Sequence, residues 1–160
     1  MIEKYTYNEL SKADLYESLR LRTEVFVVEQ NCPYQECDNL DQESIHYLYR
    51  KNGEIVAYLR LILPVNNVVK IGRVVVEKSE RQNGYGIDVM NAAIEDYKKQ
   101  FSDSTLKISA QQYLDKFYTN LGFIATGKKI IAGLWAIMNL QAGKQSMVTK
   151  PFMVMLTYFY

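Results

Sequence analysis

Residues 80–90 read ERQNGYGIDVM, and they place two glycines around a tyrosine, between a valine-rich run and a periodic apolar segment. Beyond the first glycine, four apolar side chains recur on one face of a helix: Ile87, Met90, Ile94 and Tyr97. Strand, glycine turn and helix in this order predict a parallel βαβ crossover that leads to the run TLKIS at residues 105–109. Ligands of open sheets collect where strands end and helices begin, so this turn is a candidate binding site.

The glycines suit a turn that binds an anion. The first N–H groups of a helix have no partner within the helix, and the peptide dipoles add partial positive charge there. Gly84 and Gly86 would let this backbone approach a phosphate closely. The stretch lacks the Gly-Lys-Ser/Thr of a Walker A loop, and Val89 stands where a Rossmann fingerprint needs glycine or alanine. What remains is the pattern R-x-x-G-x-G over residues 81–86.

The composition predicts one compact domain over residues 1–160. Apolar residues make up 48% of the chain and charged residues 23%, so one core is expected rather than two. The net charge of +1 argues against a nucleic-acid partner, because no basic surplus exists to neutralise phosphates. The sequence shows neither a leader pattern nor an apolar run that could span a membrane, so we expect a cytoplasmic protein without a membrane partner.

Cysteine and histidine are too few for an ordinary four-ligand zinc site. Cys32 and Cys37 lie in a polar segment, and His46 is the single histidine of the chain. No metal is therefore predicted. The two cysteines are interpreted as reduced thiols in a loop, with a local disulfide or a reactive thiol left open.

Apolar periodicity and turn residues predict an α+β fold with a mixed, mostly antiparallel sheet flanked by helices. A helix is expected over residues 12–27 with Ser11 as its cap, followed by a long polar loop to residue 43. Asn52-Gly53 predicts a hairpin between two strands. The expected strands are residues 4–10, 44–51, 54–64, 68–78, 105–109 and 123–133, and two further helices are expected at 87–101 and 113–123.

The R-x-x-G-x-G pattern after a β-rich run resembles the coenzyme A diphosphate loop of the GNAT acetyltransferase superfamily. Three longer stretches, at residues 21–44, 71–86 and 108–123, are similar to the ElaA-type branch of that superfamily. The last of them ends in KFYTNLGF, which looks like the closing element of the GNAT fold. The resemblance covers about residues 1–128.

The resemblance implies a GNAT fold whose sheet splays between strands 4 and 5, with acetyl-CoA as the cofactor. The main chain of Val74, Val75 and Val76 would then pair with the pantetheine arm. The loop that would hold the diphosphate consists of Arg81, Gln82, Asn83, Gly84, Tyr85 and Gly86. Tyr118 matches the tyrosine that acts as general acid in this family, although a purely packing role is the alternative for a tyrosine in such a chain.

The implied reaction is direct transfer of an acetyl group to a primary amine of a small molecule or peptide. A catalytically silent coenzyme A or acyl-CoA binding module is the alternative, and a nucleotide-binding regulatory protein is a more distant one. The general base stays open, because Lys70 stands where some relatives carry a glutamate. The candidates by chemistry are Glu29, Glu36, Asp38, Asp41 and His46, although solvated loop acids and a structural histidine are the simpler interpretation.

The C-terminal part departs from the family pattern. All 18 acidic residues lie at or before Asp115, whereas residues 116–160 hold five lysines and no acid. Residues of about 130–160 are thus expected to form an atypical strand or tail, through either a lineage difference or an altered reading frame. The apolar end, PFMVMLTYFY at residues 151–160, is predicted to add a strand to the sheet or to pack against a second subunit in a homodimer.

Overall fold

The computed structural model describes residues 1–129 and 135–140, which form a seven-stranded sheet with helices on both faces. The strand order is β1-β2-β3-β4-β5-β7-β6, and β4–β5 is the parallel pair among these strands. The strands are β1 Ile2–Thr6, β2 Ser44–Lys51, β3 Glu54–Val65, β4 Val68–Val76, β5 Thr105–Gln111, β6 Ile124–Lys129 and β7 Trp135–Leu140. The helices are α1 Lys12–Thr23, α2 Tyr85–Gln100 and α3 Asp115–Asn120. The predicted α+β class is confirmed.

Two-residue turns join β2 to β3 and β3 to β4. Asn52 and Gly53 have φ angles of +52° and +88°, and Asn66 and Asn67 have +51° and +61°. Left-handed conformations at both central positions match the right-handed twist of the flanking strands, and asparagine and glycine tolerate them best. The predicted hairpin at Asn52-Gly53 is therefore confirmed.

Helix α1 begins where its cap predicts and ends in an unexpected way. The Ser11 hydroxyl accepts a hydrogen bond of 3.0 Å from the backbone N–H of Asp14. After Thr23 the helix widens into a π-helical segment, Glu24–Glu29, which includes the last part of the helix predicted for residues 12–27. Such a π-helical segment turns the side chains at its end away from the α-helical phase, and these segments are frequent at functional sites.

The two faces of the sheet are covered by different helices. One face carries Leu48, Tyr58 and Val75 against Leu21 and Val25 of α1 and its extension. The other face carries the larger core, which joins alternate residues of β3, β4 and β5 to α2 and to Phe117 and Tyr118 of α3. The buried side of α2 consists of Val89, Met90, Ala93, Ile94 and Tyr97. Of the four residues predicted to share one helical face, Met90, Ile94 and Tyr97 are buried, whereas Ile87 in the first turn is 40% exposed.

Strands β4 and β5 are paired over only part of their length. The parallel register runs from Val68 opposite Thr105 to Ile71 opposite Ile108, and no pair follows it among the described residues. Just beyond this point β4 has a β-bulge: Gly72 faces Arg60 and Val75 faces Tyr58, so Leu59 alone is opposite two residues. One of the two is Arg73, with a φ of +57°. The bulge bends β4 away from β5, and the predicted splay is confirmed.

Strand β7 lies between β5 and β6 and pairs antiparallel with both. Its partners on β5 extend to Gln111, well past the point at which β4 has separated. This strand falls in the segment that was expected only as an atypical strand or tail. The prediction for residues 151–160 lies outside the described residues.

Candidate active site

The gap between β4 and β5 exposes main-chain groups of β4. The N–H of Glu77 bonds to the carbonyl of Val56 on β3 at 2.8 Å, and Val75 is paired with Tyr58 of the same strand. Since main-chain groups alternate in direction along a strand, those of Val74 and Val76 face the gap. The structure thus places two of the three predicted valines with their peptide groups toward the gap, whereas the main chain of Val75 faces β3.

The glycine turn forms the start of α2. Gly84 is the N-cap residue with a φ of +84°, and its carbonyl accepts from the N–H groups of Ile87 and Asp88 at 2.9 and 3.1 Å. The N–H groups of Tyr85 and Gly86 have no hydrogen-bond acceptor within the described part of the chain. Two free donors at the positive end of a 16-residue helix form a site suited to a phosphate group.

Other side chains of the loop are arranged around this helix start. Gln82 and Asn83 are exposed, and the Asn83 amide donates to the carbonyl of Glu80 at 3.1 Å. The Tyr85 ring stacks on Tyr49 with 4.4 Å between ring centroids. The side chain of Tyr85 therefore lies against the sheet, while its main chain remains at the site.

The position of Arg81 in a loop suggests an exposed side chain, but the side chain does not extend into solvent. Its guanidinium group donates to both carboxylate oxygens of Glu29 at 2.6 Å and to the carbonyl of Val76 at 3.3 Å. The bonds from Arg81 lower the pKa of Glu29 below its ordinary value, so Glu29 is held as an anion. This ion pair joins the glycine turn to the end of the α1 extension.

Tyr118 lies on α3 and is almost fully buried. Its ring makes edge-to-face contacts with Phe117 and Phe123, with centroid distances of 4.9 and 5.9 Å. It belongs to the same apolar cluster as Val76 and Ala110, whose strands border the gap from either side. Burial raises the pKa of Tyr118, so the phenol keeps its proton at neutral pH and can act as a donor.

A pocket of about 320 Å³ lies between the end of the α1 extension and the end of β5. It is lined by Glu29, Gln30, Gln111 and Tyr113. The Gln111 amide donates to the Gln30 amide oxygen at 3.1 Å. Of these four residues the sequence pointed only to Glu29, because glutamines at element ends carry no recognisable pattern.

Comparison with known proteins identifies the fold. A family model described as an acetyltransferase (GNAT) domain matches residues 2–137 of the chain. The chain belongs to the GNAT family. The match extends past residue 128, where the sequence resemblance was expected to end, and includes part of β7. GNAT proteins are acyltransferases that bind acyl-CoA, so the chain is an acyltransferase enzyme and the predicted family and enzyme class are confirmed.

Relatives place this GNAT protein in the ElaA-type branch. Protein ElaA of Escherichia coli is 40% identical over 122 residues, which are 74% of this chain and 80% of ElaA. A UPF0039 protein of Schizosaccharomyces pombe is 46% identical over 124 residues, which are 76% of this chain and 82% of the relative.

Solved structures agree with this placement. The crystal structure of Escherichia coli ElaA matches with a TM-score of 0.83 at 35% identity, covering 88% of this chain and 99% of ElaA. An acyl-CoA N-acyltransferase from Pseudomonas aeruginosa matches with a TM-score of 0.81 at 36% identity, covering 88% and 98% of the two chains.

In the loop between the α1 extension and β2 of this GNAT protein, the interpretation as solvated acids was wrong for Glu36 and Asp41, whereas Glu43 is exposed. Glu36 and Asp41 are only 6% and 7% exposed. Arg22 of α1 is fully buried and donates to Glu36 at 2.6 Å and to Asp41 at 2.9 Å. Arg60 of β3 donates to Asp41 at 2.6 Å and also bonds Asp38.

The third arginine of this network comes from the bulge. Arg73 donates to Glu36 at 2.7 Å and to Asp38 at 3.1 Å. Burial alone would raise the pKa of Asp38, but hydrogen bonds and charge from Arg60 and Arg73 hold it at about 2. Burial likewise opposes ionisation of Asp41, yet Arg22 and Arg60 lower its pKa. Carboxylates held as anions in this way are poor general bases.

His46 is buried, and both of its ring nitrogens have partners. Nε2 lies 2.9 Å from the carbonyl of Asp41, and Nδ1 lies 2.8 Å from the hydroxyl of Tyr58. Since a carbonyl only accepts, Nε2 carries the proton and Nδ1 accepts from the tyrosine. Burial lowers the pKa of His46, so the ring stays neutral. This geometry favours the structural interpretation of His46 over the catalytic one. Cys32 and Cys37 are both free and exposed, as the reduced-thiol interpretation expects.

Proposed function

We propose that this protein transfers an acetyl group from acetyl-CoA directly to a primary amine of a small molecule or peptide. One observation supports this most: the gap beside Val74 and Val76 adjoins a loop that leads to two N–H groups at the start of α2 without an acceptor among the described residues. A strand edge that accepts an amide-containing arm, close to a helix start that accepts a diphosphate, fits the two recognition elements of an acyl-CoA.

The residues of the chain fit this cofactor without a metal. The main chain of Val74 and Val76 would hold the arm, with Val75 as a buried side chain behind it. The N–H groups of the turn would hold the diphosphate, at about 1.5–3 kcal/mol for each bond to a charged oxygen. When bound, acetyl-CoA supplies the thioester whose carbonyl carbon the amine attacks.

Tyr118 has the role of general acid in this proposal. The Tyr118 hydroxyl would supply the proton that the departing thiolate takes up, and the tyrosinate would regain a proton from solvent. The amine must lose a proton to react, and presenting a lysine-like amine in the neutral form at pH 7 costs about 4.6 kcal/mol, from an ordinary pKa of about 10.4. Asp38, Asp41 and His46 are held in structural bonds and are not assigned as the base. The proton of the amine therefore passes to water or to another base.

The test combines calorimetry with acetyl-CoA and an assay for free thiol with a panel of amines. Tyr118→Phe should lower kcat by about 100-fold or more while the Kd of acetyl-CoA stays within about twofold. Tyr16→Phe is the matched control, because Tyr16 is 67% exposed on α1 and its hydroxyl should be irrelevant. Full turnover by Tyr118→Phe would refute the role of Tyr118, and binding without turnover of any amine would indicate a binding module instead.

A further inference from the structure

A pocket lies at the end of β5, beside the gap between β4 and β5. Gln111 is the last residue of β5 and lies three residues beyond Ile108, where pairing with β4 ends. Glu29 and Gln30 approach from the α1 extension, which packs on one side of the sheet. The pocket therefore borders the β5 side of the gap, at the end that β4 has left.

The size of the pocket limits what it can hold. Its volume is about 320 Å³. That is room for a small molecule or for one long side chain.

Among the described residues that line the pocket, Glu29 is the charged one. Glu29 contributes the carboxylate, and the other three lining residues are two glutamines and a tyrosine. Arg81 occupies one lone pair on each Glu29 oxygen, and each oxygen keeps a second one that can accept a hydrogen bond. The bidentate pair also fixes the direction of the carboxylate, whose side chain is 14% exposed.

We propose that Glu29 binds the ammonium group of the acceptor in this pocket, and that Arg81 is a positioning residue that holds the Glu29 carboxylate in place. This inference rests on the proposed function and adds the substrate class: a small amine that arrives as a cation. The Arg81–Glu29 pair would also connect the cofactor site with the acceptor site, because Arg81 is the first residue of the glycine turn and Glu29 lines the pocket. A ligand that moves Arg81 at the turn would change the orientation of the Glu29 carboxylate, and with it the binding of the amine.

The experiment compares Glu29→Gln with Glu29→Asp and with the control Glu24→Gln, in a thiol-release assay with tyramine, putrescine, glucosamine and lysinamide. Glu24 lies on the same π-helical segment and is 59% exposed, so its variant should match the wild type. Loss of one charge-assisted bond should raise the KM of the amine by about 10- to 100-fold in Glu29→Gln. The Kd of acetyl-CoA should change by less than about threefold, and Glu29→Asp should recover part of the loss.

Arg81→Met tests the positioning role by a double-mutant cycle. It should raise the amine KM in the wild-type background and add little in the Glu29→Gln background. A KM in Glu29→Gln equal to that of Glu24→Gln, or fully additive effects of the two substitutions, would overturn this inference while leaving the acetyl transfer intact. A wild-type chain that binds acetyl-CoA but turns over none of the four amines would instead overturn the proposed function, and this inference with it.

Discussion

Replacing Arg22 by methionine should destabilise the protein far more than the same change two residues earlier. Arg22 is fully buried and bonds both Glu36 and Asp41, and its guanidinium carbon lies 5.4 Å from the centre of the Tyr58 ring. Removing one partner of a buried ion pair typically costs about 3–5 kcal/mol, because a charge is left without compensation. Both carboxylates keep a second arginine at 2.6–2.7 Å, so we expect the lower end, about 3 kcal/mol.

Urea unfolding at pH 7 measures this effect directly. With a slope of about 2 kcal/mol per molar urea, the midpoint of Arg22→Met should fall by about 1.5 M. Arg20→Met is the matched control. Arg20 is 44% exposed and its ion pairs within the described ranges are with two exposed glutamates, so the cost should stay below about 1 kcal/mol. If the two variants differ by less than about 1 kcal/mol, the buried network does not stabilise the fold as argued.

The same comparison has a pH dependence with a definite sign. The pKa of Asp41 is lowered in the folded chain, chiefly by Arg22 and Arg60 against the effect of burial, so the stability it contributes is present above the ordinary range of a carboxylate. This contribution is lost as the pH falls and the carboxylate takes up a proton. The difference between Arg22→Met and the wild type should therefore shrink below about pH 4.

Three further predictions concern single residues. Ser11→Ala should lower the free energy of unfolding by about 1 kcal/mol, measured by urea titration, because the bond to the N–H of Asp14 is lost; no change would contradict the capping role. Gly84→Ala should cost about 1–2 kcal/mol, since the site has space for a methyl group but the φ of +84° is unfavourable for alanine, and calorimetry should show weaker binding of acetyl-CoA. Asp38→Asn should lose stability at pH 7 but match the wild type near pH 2, because the pKa of Asp38 is held at about 2 and its contribution disappears as the pH falls to that value. An equal deficit at both pH values would show that its charge does not matter.

Local signals predicted most of the secondary structure. The β-rich composition of β2 and β3, the Asn52-Gly53 turn and the Ser11 cap act over a few residues, and the structure confirms each of them. The bulge was not predicted, because the left-handed conformation of Arg73 accompanies bonds to Glu36 and Asp38. These partners are 37 and 35 positions away in the chain, so no local pattern indicates them. The burial of Glu36 and Asp41 was missed for the same reason. One signal was available: Arg22 follows Leu21 on the inner face of a helix, and a buried arginine requires acidic partners.

In the candidate site, too, the sequence predicted the local features and missed the long-range contacts. The glycine turn is a continuous stretch with its own conformational demands, so the sequence located it, and the roles assigned to its residues remain predictions. The partner of Arg81 is 52 residues away in the chain, and Gln30 and Gln111 are 81 residues apart. Pairs at such distances are brought together only by the packing of α1 against the sheet.

The position of Arg73 in the bulge links the shape of β4 to the loop that precedes β2. The residue that bends β4 away from β5 is also tied to Glu36 and Asp38 of the preceding loop. The width of the cleft and the anchorage of that loop are therefore mechanically coupled. Replacement of either acid would loosen the strand against which the thioester arm is proposed to lie. A substitution in that loop would therefore change the geometry of the reaction centre.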